Sequence, residues 1–329
     1  MRSSSSAVER RDLGGTGLVS SRLVLGTMTF GSQVDQAGAN AMVDAALDSG
    51  IDHFDTANVY NGGAAEEMLG RALGRRRSRA VVATKVRNTV HGGRDGSGLG
   101  RAAIRAALEG SLRRLQTDYV DLYYLHAPDR DVLVEETLAT MAELVAQGMV
   151  RHVGFSNYAA WQVADMGWLA AANGWPAPRI GQQLYNAISR ALEEEYAEFA
   201  ATHGVATLAY NPLAGGLLTA KHRGATEPPI GRFASSERYR RRYWSREQAG
   251  AVEELAVVAG GAGLSPVELA FGWLLAQPVV DAIVLGASSL EQLQVDVAAC
   301  DRGPVGEEVL RAVDGVWSQL RGAFPRYNR

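Results

Sequence analysis

The stretch "FDTANVYNGG", residues 54–63, decides how the rest of the chain reads. It opens as a buried strand, with Ile51 and Phe54 on either side of His53, and then turns polar, setting Asp55, Asn58 and Tyr60 close together. Burying even a neutral polar group without a partner costs roughly 2–7 kcal/mol, and an unpaired carboxylate costs more. Asp55 at the end of such a strand needs a cation. The phenol that follows needs a reason to be there.

Outward from this stretch the same rhythm repeats. Apolar, β-branched runs at 23–27, 53–57, 81–86, 120–126, 150–156, 180–185, 206–211 and 282–287 alternate with Ala/Leu/Glu/Arg stretches of helical period. The latter include 39–49, 64–74, 101–115, 134–147, 159–173 and 193–203; Ile104, Ala107, Leu108, Leu112 and Leu115 recur at helical spacing. Strands that are apolar on both faces suit a parallel sheet covered by helices. Repeated without a break, the β/α units predict an α/β fold, a closed (β/α)8 TIM barrel rather than an open doubly wound sheet. "RDLGGTGLVSS" (11–21) predicts an N-terminal β-hairpin capping one end.

Two segments interrupt the rhythm, the Gly-rich "RNTVHGGRDGSGLG" (87–100) and the polar, Arg-rich "KHRGATEPPIGRFASSERYRRRYWSREQ" (221–248). Both follow strands, which places them as long loops at the C-terminal face. Residues 247–277 predict two helices flanking glycines at 260–263, with Ser265 as N-cap and Pro266 at the first helical position. No stretch has the composition of a linker, so one domain spanning 1–329 is expected, with 1–10 as a frayed tail.

Composition narrows the function. The chain has 329 residues, is 47% hydrophobic and carries a formal net charge of −3, so no basic surplus drives binding to nucleic acid or an anionic membrane. One cysteine, Cys300, cannot close an intramolecular disulfide, and no apolar run is long enough for a bilayer span. "MRSSSSAVERR" lacks the apolar core of a signal peptide. These features lead to the expectation of a cytoplasmic protein. The six histidines show no metal-ligand spacing, and no metal is expected.

Strand ends are where barrels place their chemistry. Asp55 ends the second barrel strand with Tyr60 just beyond, Lys85 ends "VVATKV" and His126 ends "DLYYLHAPD". Adjacent strands lie about 4.8 Å apart, so consecutive strand ends can bring these groups within hydrogen-bonding reach. Lys85 is then the natural partner of Asp55. An ammonium beside a phenol favours the phenolate and is expected to lower its pKa. A histidine alongside can orient a substrate oxygen. Such a site protonates an alkoxide as it develops, which carbonyl reduction by hydride transfer requires. Taken singly, each residue also has a plain structural reading: Asp55 as a turn residue, Tyr60 as packing, Lys85 as a snorkelling rim cation, His126 as a satisfied core histidine. Four such groups at successive strand ends favour the catalytic reading.

"GIDHFDTANVYNGGAAEEMLGRAL" (50–73), "TKV", "TDYVDLYYLHAPD", "GFSNY", "GQQLYN", "LAYNPLAGGLLTAK" and "VLGASSLEQL" resemble successive blocks of the aldo-keto reductases, in that family's order, over about residues 11–300. The resemblance implies a (β/α)8 barrel and NADP(H)-dependent reduction of an aldehyde or ketone. It implies a tetrad of Asp55, Tyr60, Lys85 and His126, with Tyr60 as general acid. Ser156, Asn157 and Gln182 match residues that hold the nicotinamide carboxamide, and Tyr210 matches the aromatic stacked on that ring. Asn211, Pro212, Leu213 and Gly215 match the loop approaching the pyrophosphate, and Gly26, Thr27 and Met28 would line the first strand end. "GSGLG" (96–100) is not a Rossmann fingerprint, because its spacing is wrong and no strand immediately precedes it.

After the last strand, "GASSLEQLQVD" carries Gly286, Ser288, Gln292 and Asp296 as candidate cofactor contacts but no basic residue. This pattern resembles the potassium-channel β-subunit branch, in which Lys221 and Arg232 of this sequence would supply the positive charge; Val295-Asp296 departs from the usual Glu-Asn. NADP(H) is expected over NAD(H). Met28, Phe30, Tyr124 and Tyr158 are candidate apolar walls of a substrate pocket, or equally core. Arg87 suits an anionic or polyhydroxylated substrate, or is a solvated loop charge. "RYRRRYW" (238–244) could cover the cofactor, bind phosphate groups, meet a second copy of the chain or be an exposed helix face. "LGGTGLVSSRLVLGTMTFG" with "DTANVYNGG" is also similar to actinomycete aldo-keto reductases of deoxysugar and macrolide pathways, which implies a macrolide, keto-sugar or other bulky carbonyl. The alternative is an NADP(H)-binding regulatory subunit with little turnover.

Overall fold

The computed structural model describes residues 8–88, 97–224 and 232–323. The expectations for the first seven residues, for the middle of the 87–100 loop, for 225–231 and for the side chain of Arg232 lie outside the described residues.

A hairpin of β1 (Arg10–Asp12) and β2 (Val19–Ser21) comes first. The barrel follows as β3 (Leu23–Gly26), α1 (Gln36–Asp48), β4 (His53–Asp55), α2 (Ala64–Leu73), β5 (Val81–Val86), α3 (Arg101–Leu115), β6 (Val120–Leu125), α4 (Val134–Ala146), β7 (Val150–Ser156), α5 (Ala160–Asn173), β8 (Ile180–Leu184), α6 (Tyr196–His203) and β9 (Ala206–Tyr210). Then come α7 (Arg232–Ser235), α8 (Glu237–Tyr243), α9 (Arg246–Gly261), α10 (Pro266–Leu275), β10 (Ala282–Leu285), α11 (Leu290–Asp301) and α12 (Glu307–Arg321). β3 to β10 close into one barrel in which each strand pairs in parallel with its neighbours, β10 meeting β3. The expected α/β architecture, a (β/α)8 TIM barrel with an N-terminal hairpin, is the one observed.

Side chains alternate across each strand, so the strands feed two separate cores. Val24, Ala83, Leu122, Tyr124, Ile180, Leu208 and Val284 pack together in one cluster, and Leu25, Phe54, Val82, Tyr123 and Phe155 belong to the other, with the helices. This is why the strands read as apolar on both faces. Leu13 and Leu18 of the hairpin join the first cluster. A Cβ on Gly14 would stand 2.6 Å from the Arg179 carbonyl, so the hairpin turn lies hard against the start of β8. It covers the N-terminal mouth of the barrel and leaves the C-terminal mouth for chemistry.

Boundaries differ from the sequence reading in a consistent direction. Thr27, Ala57, His126, Tyr185, Asn211 and Ala287 lie just past the strand ends rather than in them. Asn211 shows the cause: its φ of 58° is left-handed, so the chain turns away although the apolar pattern continues. α6 begins at Tyr196, because Glu195 is non-helical after a short 3-10 turn. Gly260 and Gly261 lie within α9, and the break to α10 follows them. There Ser265 accepts from the Glu268 N–H and Glu268 accepts from the Ser265 N–H, a capping box with Pro266 in the first turn. The described part of the 221–248 insertion includes two helices, α7 and α8, where the sequence reading had a polar loop. Among the described residues no single helix is long and apolar enough to cross a membrane.

His53 lies fully buried in β4, its Nδ1 3.2 Å from the Ser20 hydroxyl. Burial, helped by the charge of Lys85, pushes its pKa down to about 3. A base with a depressed folded pKa contributes stability that is complete above its unfolded pKa near 6.5 and is lost as pH falls toward the folded value. The expected loss is about 2 kcal/mol between pH 6.5 and 5. Urea unfolding at these two pH values should show it as the difference in pH dependence between the wild type and His53→Gln, because Asp296, raised to about 7, acts in the opposite direction in both proteins. An equal slope in both proteins would contradict this assignment.

Candidate active site

Parallel register sets the rim. Asp55 at the end of β4 lies level with Gly26 on β3 and Ala83 on β5, and Lys85 lies level with Tyr124 on β6. His126 follows β6 directly, its N–H held by the Val86 carbonyl at 2.9 Å. Tyr60 opens a 3-10 turn in which Asn61, Gly62 and Gly63 all have positive φ. A Cβ on Gly63 would also stand 2.8 Å from the Arg114 side chain, so glycine is required there. Asn61 ties the turn to the loop after β3 by donating to the carbonyls of Met28 (2.9 Å) and Phe30 (2.6 Å).

The four tetrad residues converge. Lys85 is fully buried, and its ammonium donates to Asp55 Oδ1 at 2.5 Å, to the Thr56 carbonyl at 2.7 Å and to the Tyr60 hydroxyl at 3.3 Å. An ammonium has three donors, and each has an acceptor here. The other Asp55 oxygen accepts from Gln182 Nε2 at 2.8 Å. The Tyr60 ring meets His126 edge-on, with centroids 6.1 Å apart. Asp55 thus has the cation that its burial demands.

Electrostatics correct one expectation. Burial opposes the Lys85 ammonium, but the Asp55 and Tyr60 oxygens outweigh it and hold the pKa above the ordinary lysine value. The Tyr60 phenol is not lowered. Burial raises it above the ordinary tyrosine value, the Lys85 charge pulls it back and the Asp55 charge adds to the rise. Asp55 offsets the charge that was expected to ionise the phenol, so desolvation decides. Tyr60 keeps its proton through neutral pH, as an acid must before it can donate.

A second network lines the same mouth. Ser156 donates to the Gln182 carbonyl (2.7 Å), and Asn157 Nδ2 donates to the His126 carbonyl (2.9 Å) and to the Ser156 hydroxyl (3.0 Å). The Tyr210 hydroxyl donates to Asn157 Oδ1 at 2.7 Å. Beyond Tyr210, Asn211, Ala214, Gly215 and Gly216 all have positive φ, and Pro212 and Leu213 lie within this turn. Within it the Ala214 N–H donates to the Asn211 carbonyl (2.9 Å) and the Gly216 N–H to the Leu213 carbonyl (2.8 Å), which makes the turn tight. The Lys221 ammonium hangs over it, 3.4 Å from where a Cβ on Gly216 would be. Thr27 donates to the Asp55 carbonyl, and Met28 is 37% exposed beside it. Ser288 donates to Gln292 Oε1 through both its N–H and hydroxyl, just past Gly286. Asp296 stands apart. It is buried on the inner side of α11 with Leu293, Ala299 and Cys300, and burial pushes its pKa up to about 7. Among the described residues no group of three His, Cys, Asp or Glu could hold a metal ion.

A family model described as the aldo/keto reductase family matches residues 22–318. The chain belongs to the aldo/keto reductase family. Human aflatoxin B1 aldehyde reductase member 2 is 38% identical over 324 residues, covering 93% of this chain and 89% of that protein. Human aldo-keto reductase family 7 member A3 is 38% identical over 324 residues, covering 93% and 96%. A probable voltage-gated potassium channel subunit beta from Oryza sativa subsp. japonica is 35% identical over 318 residues, covering 94% and 96%. This aldo/keto reductase is therefore an oxidoreductase of small-molecule carbonyls.

Of the four side chains of the aldo/keto reductase left open between pocket wall and core, three belong to the core. Phe30 and Tyr124 are fully buried and Tyr158 nearly so, which leaves Met28 as the exposed apolar side chain of that set. The sequence reading missed the Gln182–Asp55 bond, because the two residues are 127 positions apart. It also missed Asn88, which lies 3.4 Å from His126. No spacing rule marks a polar loop residue, and only its place two residues past a strand end points to it.

Proposed function

We propose that this chain is an NADPH-dependent carbonyl reductase in which Tyr60 protonates the oxygen of an aldehyde or ketone. The observation that carries the reading is the Lys85 ammonium, which touches both Asp55 Oδ1 and the Tyr60 hydroxyl. The phenol is a protonated donor at the barrel mouth. Lys85 stabilises the phenolate left once the proton has gone, and Asp55 holds Lys85 charged and in place. His126, whose ring meets that of Tyr60 edge-on with centroids 6.1 Å apart, donates to the carbonyl oxygen and orients it.

Residues of the mouth fit a nicotinamide dinucleotide. Asn211 Nδ2 is buried without a partner among the described residues, at the start of the glycine turn that Lys221 overhangs. Asn157, Ser156 and Gln182 would hold the carboxamide, Tyr210 the ring face, and the 211–216 turn the pyrophosphate. Lys221 and Arg232 would favour NADP(H) over NAD(H), with Gly26, Gly286, Ser288 and Gln292 along the groove. When bound, the cofactor supplies the hydride. Relatives named as aflatoxin B1 aldehyde reductases support an aldehyde substrate. Exposed Met28 and the donor Arg87 suit a large, oxygen-rich carbonyl compound such as a macrolide or keto-sugar.

The test is consumption of NADPH and NADH against a panel of aldehydes and ketones, alongside binding of both cofactors. Lys221→Met should weaken NADPH binding by about tenfold or more, as loss of a charge-assisted hydrogen bond does, and should weaken NADH binding less. Equal effects on the two would remove Lys221 from the 2′-phosphate. A regulatory subunit with little turnover is the competing reading, favoured by the name of the rice relative; no turnover with any carbonyl, at full NADPH affinity, would support it.

A further inference from the structure

The loop after β5 carries a polar chain that ends on His126. Arg87 Nη1 donates to Asn88 Oδ1 at 3.3 Å, and Asn88 Nδ2 lies 3.4 Å from His126 Nδ1. Two more bonds hold the loop in place. Asn58 Nδ2 donates to the Asn88 carbonyl at 3.1 Å, and the Gly98 N–H donates to the Arg87 carbonyl at 2.8 Å. Between them Arg87 adopts a φ of 139°, a region that L-residues rarely enter. Such strain persists only where surrounding contacts over-determine the backbone, and it gathers at functional sites.

The donor inventory gives this chain a direction. A guanidinium can only donate, so the Asn88 oxygen must face Arg87 and the Asn88 nitrogen must face the imidazole. An amide nitrogen likewise only donates, so His126 Nδ1 must accept. A neutral imidazole with a lone pair at Nδ1 carries its proton on Nε2.

We propose that Asn88, aimed by Arg87 and anchored by Asn58, is a positioning residue that fixes His126 as the Nε2–H tautomer. The inference rests on the reading of His126 as the group that donates to the substrate carbonyl, because only that tautomer keeps Nε2 as a donor while Nδ1 faces Asn88. It also gives Asn58 of the opening stretch a role, as the anchor of the loop that aims His126.

The test is nitrogen NMR of protein labelled with 15N-histidine, in which protonated and unprotonated ring nitrogens are well separated. The wild type should show His126 with Nδ1 unprotonated and Nε2 protonated. Asn88→Leu, which keeps bulk but cannot donate, should give mixed tautomers. Asn88→Asp, which keeps shape but only accepts, should draw a proton onto Nδ1. With the tautomer mixed, kcat of Asn88→Leu should fall in proportion to the lost Nε2–H fraction, about twofold for an even mixture, at unchanged KM for NADPH and far short of the ~10⁴-fold lost where a wrong tautomer is locked in. A protonated Nδ1 in the wild type, or an unchanged tautomer in both variants, would overturn the proposal. A tautomer that changes with no change in kcat would support the positioning by Asn88 and overturn the catalytic role of His126 instead.

Discussion

Tyr60→Phe should lower kcat for carbonyl reduction by about 10²–10⁴-fold, the usual contribution of a positioned general acid, while leaving NADPH affinity intact. The substitution removes one oxygen, 3.3 Å from Lys85, and keeps the ring that packs edge-on to His126. Lys85 retains Asp55 and the Thr56 carbonyl, so the buried cation stays paired. The effect should fall on the chemical step. Because the phenol pKa is raised, the wild-type reduction rate should show no loss from Tyr60 ionisation across neutral pH, with decline only on the alkaline side of the ordinary tyrosine value. An activity in Tyr60→Phe within a few-fold of wild type, or a wild-type profile that falls between pH 7 and 9 through the loss of this proton, would remove the phenol from its role.

Lys85→Met should destabilise the fold by about 3–5 kcal/mol, as removal of one partner from a buried ion pair does. Lys85 is 0% exposed and Asp55 2%, so the carboxylate left behind has no water to turn to and among the described residues keeps only the Gln182 amide. The companion double variant, Asp55→Asn with Lys85→Met, should recover much of that loss, since it buries no unpaired charge. Neither variant should turn over substrate. Urea midpoints of the wild type, the single and the double variant measure this directly. A single variant as stable as the wild type would mean that the pair is not buried as described. The raised Lys85 pKa adds a sign: its stabilisation is complete below the unfolded lysine value and is lost only as pH rises through the folded one, in the alkaline range above about 10.5.

The tetrad could be read from the chain because a barrel sets polar strand ends against apolar strands. Asp55, Lys85 and His126 each interrupt an apolar run at the same rim, and adjacent strands bring them together without further information. Contacts across the barrel are different in kind. Gln182 reaches Asp55 from β8, and no local pattern in either segment encodes that meeting. Phe30 and Tyr124 show a second limit, since an aromatic residue near a strand end can face the core or the mouth and the sequence alone does not choose. Tyr60 shows a third: the sign of its pKa shift depends on how far Asp55 cancels the Lys85 charge, which requires distances. Asn88 is the extreme case, a polar loop residue whose meaning lies wholly in what it touches.

Product release rather than chemistry limits kcat in many enzymes, so the most direct measurement is a single turnover with NADPH already bound and a reactive aldehyde in excess. In the wild type the nicotinamide absorbance should disappear in one exponential phase, and in Tyr60→Phe the same phase should be slower by at least about 10²-fold. Equal rates in the two proteins would contradict the proposal that Tyr60 supplies the proton.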